Sequence, residues 1–266
     1  MRRNGSLTAR FVALFRAGRG LDPYAERVLD PALRLGLAAF RGIERTGFSL
    51  DRISSGLIAT TVTRHSHFDA CLLAAREAGI DQVVLLGAGF DARPWRFADA
   101  LAGARVFLVD HPATAALRAE RFADLPAPPG VVRVDVDFAT EDFAVALRAA
   151  GYATDRPAVF IWEGVSMYLP REAIAETLRR VAGLAAPGSR LVFDTWRADA
   201  RGVPGVLERL GRGIVRAMGE PIAWNPTAEE VAALVTDSGL HLTAQRPANT
   251  YCAEANPAMW LVEAAV

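Results

Sequence analysis

Gly87 and Gly89 follow directly on the apolar run VVLL, and acidic residues recur downstream at Asp91, Asp110, Asp135, Asp137, Glu163 and Asp194. Glycine allows a tight turn and lets backbone N–H groups approach a ligand with no Cβ in the way. Gly-x-Gly-x-x-Ala over residues 87–92 is a loose form of the dinucleotide-cradling turn, and by itself it is equally a plain structural turn. Asp110 comes about twenty residues later, where a carboxylate can accept hydrogen bonds from both hydroxyls of a ribose or cap a helix. Asp137 ends a further apolar stretch, placed to accept from an adenine amino group or to cap the next helix. Glu163 follows Phe-Ile-Trp, and a carboxylate in that company needs a partner or a raised pKa.

Two more groups lie upstream. Arg64 stands four residues before Phe68, on the face of an apolar helical stripe, so it needs a carboxylate from a ligand or from the protein. His67 follows three residues later and is a candidate general base for a hydroxyl substrate, or a half-exposed helical histidine. The other histidines are His65, His111 and His241, with no metal-ligand spacing among the four, so no metal is expected. Cys71 and Cys252 suggest neither a disulfide framework nor a metal site. The chain contains no lysine, which excludes Schiff-base chemistry, a lysine base and a P-loop lysine.

These residues are positioned by an alternation of elements. Residues 1–80 read as helical, with turn signals at Gly18-Arg19-Gly20, Asp22-Pro23 and Asp30-Pro31. Phe68, Cys71, Leu72 and Ala75 mark one face of a helix that Gly79 stops. Strands are expected at 83–86, 106–110, 131–138, 158–164 and 190–196, separated by helices. Pro112 opens one helix, Thr140 is the expected cap of the next, Pro170 opens a third, and Thr227 with Glu230 forms a capping box. Residues 197–226 read as irregular or helical, and HLTAQ and MWLVEAAV as the last strands. Tyr24, Trp162, Trp196, Trp224 and Tyr251 are pocket walls or core aromatics.

Alternating strands and helices imply a mostly parallel sheet with helices on both faces, which binds ligands beyond the carboxyl ends of its strands. Some 80 helical residues precede the first strand and strands end the chain, as in a Rossmann-like class I methyltransferase with a seven-stranded sheet and an N-terminal helical lid. The expected division is a cap over 1–80 and a cofactor-binding domain over 81–266, forming one compact unit.

LGAGFDARPWRF, VDHPAT, VDVDF and FIWEGVSMYL, together with SLTAR and DPYAE near the start, resemble the leucine carboxyl methyltransferase family over nearly the whole chain. That family includes bacterial S-adenosylmethionine-dependent methyltransferases and polyketide O-methyltransferases. The resemblance implies S-adenosylmethionine as cofactor and S-adenosylhomocysteine as product. It implies that Arg64 holds the cofactor's carboxylate, Gly87 and Gly89 line its methionine end, and Asp110 binds the ribose. Asp137 and Phe138 would hold the adenine, and Glu163 would lie beside the bound cofactor. Where the family's helix around Arg64 more often carries aromatic or hydroxyl residues, this chain has His65 and His67.

Composition bounds the partners. Thirty basic and thirty acidic residues give a formal net charge of zero, against a nucleic-acid binder. No apolar run is long enough for a membrane span, and the N-terminus lacks the apolar region of a signal peptide, so a cytoplasmic setting is expected. The expected protein is an O-methyltransferase, a monomer or homodimer, acting on a hydroxyl or carboxylate of a small molecule such as a natural-product intermediate. A hydroxyl acceptor with His67 as base is the specific expectation. The alternatives are a nicotinamide-dependent oxidoreductase and a catalytically silent, cofactor-binding partner subunit.

Overall fold

The computed structural model describes residues 7–52, 54, 56–138, 140–197 and 222–266. Most of the stretch expected to be irregular or helical, 198–221, therefore lies outside the described residues. Three helices come first: α1 (Leu7–Gly18), α2 (Pro31–Arg45) and α3 (Leu57–Glu77). Asp30 starts α2 by accepting from Leu33 N at 2.9 Å, with Pro31 in the first turn where its missing N–H costs nothing. Gly79, at φ +83°, follows the end of α3 in the left-handed conformation that glycine adopts without penalty.

Strands β1 (Gln82–Leu86), β2 (Arg105–Asp110), β3 (Val131–Asp135), β4 (Ala158–Trp162) and β5 (Arg190–Trp196) then alternate with helices α4 (Arg93–Arg96), α5 (Pro112–Arg121), α6 (Phe143–Ala149) and α7 (Arg171–Leu184). The chain closes with α8 (Ala228–Asp237), β6 (His241–Pro247) and β7 (Met259–Ala265). The seven-stranded sheet has the order β3-β2-β1-β4-β5-β7-β6. Pairs among β1 to β5 are parallel, and β7 runs antiparallel to both β5 and β6, as in Phe193↔Val262 and His241↔Ala265. Two capping expectations meet different outcomes. Thr227 and Glu230 close the capping box that starts α8, whereas α6 is capped by Asp142, which accepts from Ala144 N at 2.8 Å, and not by Thr140.

The central strands β1, β2, β4 and β5 are buried on both faces because they are largely apolar, whereas the edge strands β3 and β6 carry exposed polar residues. Val84, Leu86, Phe107, Phe160 and Phe193 pack against α6, α7 and α8. The alternate residues Val83, Leu85, Leu108, Ile161 and Val192 pack on Phe68, Leu72 and Ala75 of α3. A third cluster joins Leu14 of α1 and Leu37 and Phe40 of α2 to Phe90, Ala92 and Phe122, which lie beyond the carboxyl ends of the strands or after α5. The N-terminal helices are thereby anchored over the end of the sheet where strand order reverses between β1 and β4, the place where such sheets bind ligands. Among the described residues no helix is long and apolar enough to cross a membrane.

Candidate functional site: a cavity at the switch point and the charge network behind it

A cavity of about 390 Å³ opens at this switch point. Gly87 and Gly89 form its floor, with φ of +65° and +48°, and a Cβ on Gly87 would come within 2.8 Å of Val165. Register explains what faces the glycines. Leu85 pairs with Ile161, so the residue two beyond, Gly87, is level with Glu163 at the end of β4. Leu86 pairs with Val109, which brings Asp110 beside the turn. Arg64, Gly87, Gly89, Asp110, Phe138 and Glu163 all line this one cavity. Asp137 is not in its wall; its backbone N–H donates to Glu141 Oε2 at 2.8 Å.

Asp110 holds the glycine turn. One carboxylate oxygen accepts from Gly89 N and the other from His111 N at 2.7 Å. Burial raises its pKa above the ordinary carboxylate value, while the two backbone donors pull it back. Each oxygen keeps a lone pair free, so the group can still accept from a ligand's hydroxyls. Arg118 supports the same turn from α5 by donating to Gly89 O at 3.3 Å.

Behind the glycines lies a network that the sequence did not announce. Glu163 accepts from Arg93 Nη2 at 2.6 Å and from Arg64 Nε at 3.2 Å, and meets His65 Nδ1 at 3.2 Å. Arg93 reaches Asp69 through Nε at 2.7 Å and Asp91 through Nη1 at 2.5 Å. Arg96 Nη2 joins Asp69 at 2.6 Å. Arg64 Nη1 also lies 3.4 Å from Asp194 Oδ2, whose other oxygen accepts from Gly164 N at 2.6 Å. Burial opposes charge on Glu163, but Arg93, His65 and Arg64 outweigh it and hold the carboxyl well below its usual value. Asp194 has fewer partners, and burial pushes it up to about 6 against the pull of Arg64.

His65 is neutral in this setting. Burial lowers its pKa, and Arg93 lowers it further. Arg96 Nη1 lies 2.7 Å from the ring's Nε2, while Nδ1 lies 3.2 Å from Glu163 Oε2 and 3.1 Å from Arg93 Nη2.

His67, expected to act as a base at the methyl-transfer site, is placed elsewhere by the structure, outside the glycine-floored cavity. Its Nε2 lies 3.3 Å from Glu263 Oε1 of β7 and 3.6 Å from Cys71 Sγ, and its ring centroid is 4.8 Å from that of Tyr251. These groups line a second cavity, of about 470 Å³, with Arg190 and Thr243 and with none of the glycine-turn residues. Because α3 is buried round most of its circumference, proximity to Arg64 along the helix does not fix which cavity a side chain meets. Among the described residues, His67, Cys71 and Glu263 are the one group of His, Cys or acidic side chains whose donor atoms all lie within 4.8 Å of one another, a grouping the sequence reading did not see. Its donors are engaged with one another, and burial, with the Glu263 charge, pushes the Cys71 thiol up to about 12, which keeps it protonated.

Residues 15–182 match the leucine carboxyl methyltransferase family. A relative named putative S-adenosyl-L-methionine-dependent methyltransferase from Mycolicibacterium gilvum is 35% identical over 217 residues, covering 76% of this chain and 64% of the relative. One of the same description from Parafrankia sp. is 34% identical over 215 residues, covering 78% of this chain and 67% of the relative. The chain thus spans about two thirds of the length of these relatives. Among solved structures, a putative methyltransferase from Thermobifida fusca superposes with TM-score 0.66 at 18% identity, covering 98% of this chain and 95% of that one, a likeness of fold. The matched segment runs from α1 through α7 and contains the glycine turn, Asp110 and Glu163, and this chain belongs to the leucine carboxyl methyltransferase family.

Proposed function

We propose that the protein is an S-adenosylmethionine-dependent methyltransferase that transfers a methyl group to an oxygen of a small molecule, a carboxylate or a hydroxyl. The observation that carries this reading is the glycine-floored cavity with Asp110 on one side and the Arg64–Glu163 pair on the other. Its volume lies within the range of small-molecule sites, about 300–1,000 Å³. When bound, the cofactor supplies a methyl group activated by sulfonium charge.

The chain's own groups then divide the work. Asp110 accepts from the ribose hydroxyls while keeping Gly89 in place. Phe138, 42% exposed at the rim, offers a ring face to the adenine, with Asp137 beside it. Glu163, its charge fixed by three cations or donors, faces the methionine end with Arg64 and can accept from an ammonium group. Positioning supplies much of the acceleration for such a displacement. His65 lies behind the carboxylate, and His111, in the cavity wall, uses Nδ1 to cap α5 by accepting from Ala113 N at 3.1 Å. A carboxylate acceptor arrives ionised and needs no base, so this wall favours a carboxylate over a hydroxyl.

Thermal unfolding with S-adenosylhomocysteine and with NADH tests the reading. The homocysteine nucleoside raises Tm and NADH does not. Asp110→Ala weakens S-adenosylhomocysteine binding by about 1.5–3 kcal/mol, the range for hydrogen bonds to a charged group. Stabilisation by NADH alone, or unchanged affinity in Asp110→Ala by calorimetry, overturns it.

A further inference from the structure

Arg16 is the cation of the cavity whose hydrogen bonds the protein does not complete. It lies near the end of α1, is 7% exposed, and lines the same cavity as Arg64, Glu163 and Gly164. Its ion pair, Nη1 to Asp22 Oδ2, measures 3.8 Å, beyond hydrogen-bond reach. Arg16 Nε is buried with no hydrogen-bond partner, and so is Asp22 Oδ2. Arg64 and Arg93 differ in this respect. Arg64 meets two carboxylates, and Arg93 meets three. A buried guanidinium is costly unless its donors find acceptors, and a planar fork of N–H groups suits a carboxylate best. The positive charge of Arg16 also helps keep the His65 imidazole neutral.

We propose that Arg16 is a carboxylate-binding residue of this cavity, contributed by α1 to the methionine end of the site. The inference rests on the methyltransferase reading and goes beyond it, because it assigns the anion to a residue outside the glycine turn and outside the Arg64 network. Two sources present that chemistry there: the amino-acid carboxylate of the cofactor, and an acid group on the methyl acceptor. Asp22 stays as the partial counter-charge that makes the empty-handed cation tolerable in the folded chain.

Calorimetry on the full chain, with Arg16→Gln against wild type, separates the outcomes. The probes are S-adenosylhomocysteine and methylthioadenosine, which lacks the amino-acid carboxylate. A loss of roughly ten-fold or more for S-adenosylhomocysteine with little change for methylthioadenosine supports the proposal and identifies the cofactor as the source. If both affinities are unchanged, sodium benzoate is titrated into the S-adenosylhomocysteine-saturated protein and Tm is read. Stabilisation of wild type that is absent in the variant supports the proposal with the acceptor as source. Equal losses for both nucleosides, or no difference in either experiment, overturns it. Should Arg16→Gln not fold, Arg16→Lys retains the charge against Asp22 but not the fork, and the same selectivity is read from it. A wild-type protein that binds neither nucleoside defeats the methyltransferase reading itself, which is a different result from binding that Arg16 does not influence.

Discussion

His65 and His67 stand two residues apart on α3, and the helix turns them to opposite sides. His65 enters a crowd of fixed charge with Arg93, Arg96 and Glu163, and is held neutral there. His67 meets one carboxylate, one thiol and one phenol ring at the edge of a different cavity. On the first side each charged group is shared among several partners drawn from α3, α4 and the ends of β4 and β5. On the second side the ion pair has one partner on each side, and Glu263 is 36% exposed. Sharing makes a charge immovable, which suits a wall that must present the same potential to each ligand. A single half-exposed pair is worth little and costs little to break.

Removing the hub of the first side is the largest disturbance. Arg93 is 1% exposed and neutralises Asp69, Asp91 and Glu163 together. Arg93→Ala leaves buried carboxylates without their cation and lowers stability by about 3–5 kcal/mol, read by denaturant unfolding. A loss below about 1 kcal/mol would mean the network is solvated, and the contrast between the two sides of α3 would fall.

The pH dependence of Asp194 sharpens the same picture. Its folded pKa, about 6, lies above the ordinary 3.8, so the folded chain holds the proton more tightly than the unfolded one. The stability this contributes is fully present below about 3.8 and is lost as pH rises through about 6. That difference is worth up to about 3 kcal/mol. Asp194→Asn cannot titrate, so stability of wild type minus that of the variant falls between these two pH values. A difference curve that is flat, or that rises with pH, would place Asp194 in a better-compensated site than its burial implies.

The smallest effect belongs to the second side. His67→Ala changes stability by about 1 kcal/mol or less and leaves affinity for S-adenosylhomocysteine unaltered. A weakened affinity by calorimetry would join the two cavities functionally and restore His67 to the cofactor site.

Much of the site was legible because strand ends announce themselves. An apolar run that stops on Gly-x-Gly, and carboxylates that close the next strands, sit where a parallel sheet presents them, so Gly87, Gly89, Asp110 and Glu163 could be placed before any coordinates. Arg64 was found as a cation on a buried stripe that demanded a carboxylate, and its partners proved to be Glu163 and Asp194. The capping box of α8 was readable for the same local reason, since its two members are three residues apart.

What the sequence by itself determined were thus features whose cause lies within a few residues or in the period of a strand: the order of elements, the turn after β1, and the acids that close the strands. The tertiary structure alone decided the rest. It ran β7 antiparallel between β5 and β6. It brought Arg93 against Glu163 across 70 residues and Arg16 into the cavity from α1, and it sent His65 and His67 to different sides of α3. The physical reason is that α3 is enclosed on several faces, by the sheet, by the N-terminal helices and by the segment around Met259. A helix buried on one face declares its orientation through its hydrophobic period; one buried round most of its circumference does not, and only the packed neighbours say where each side chain points.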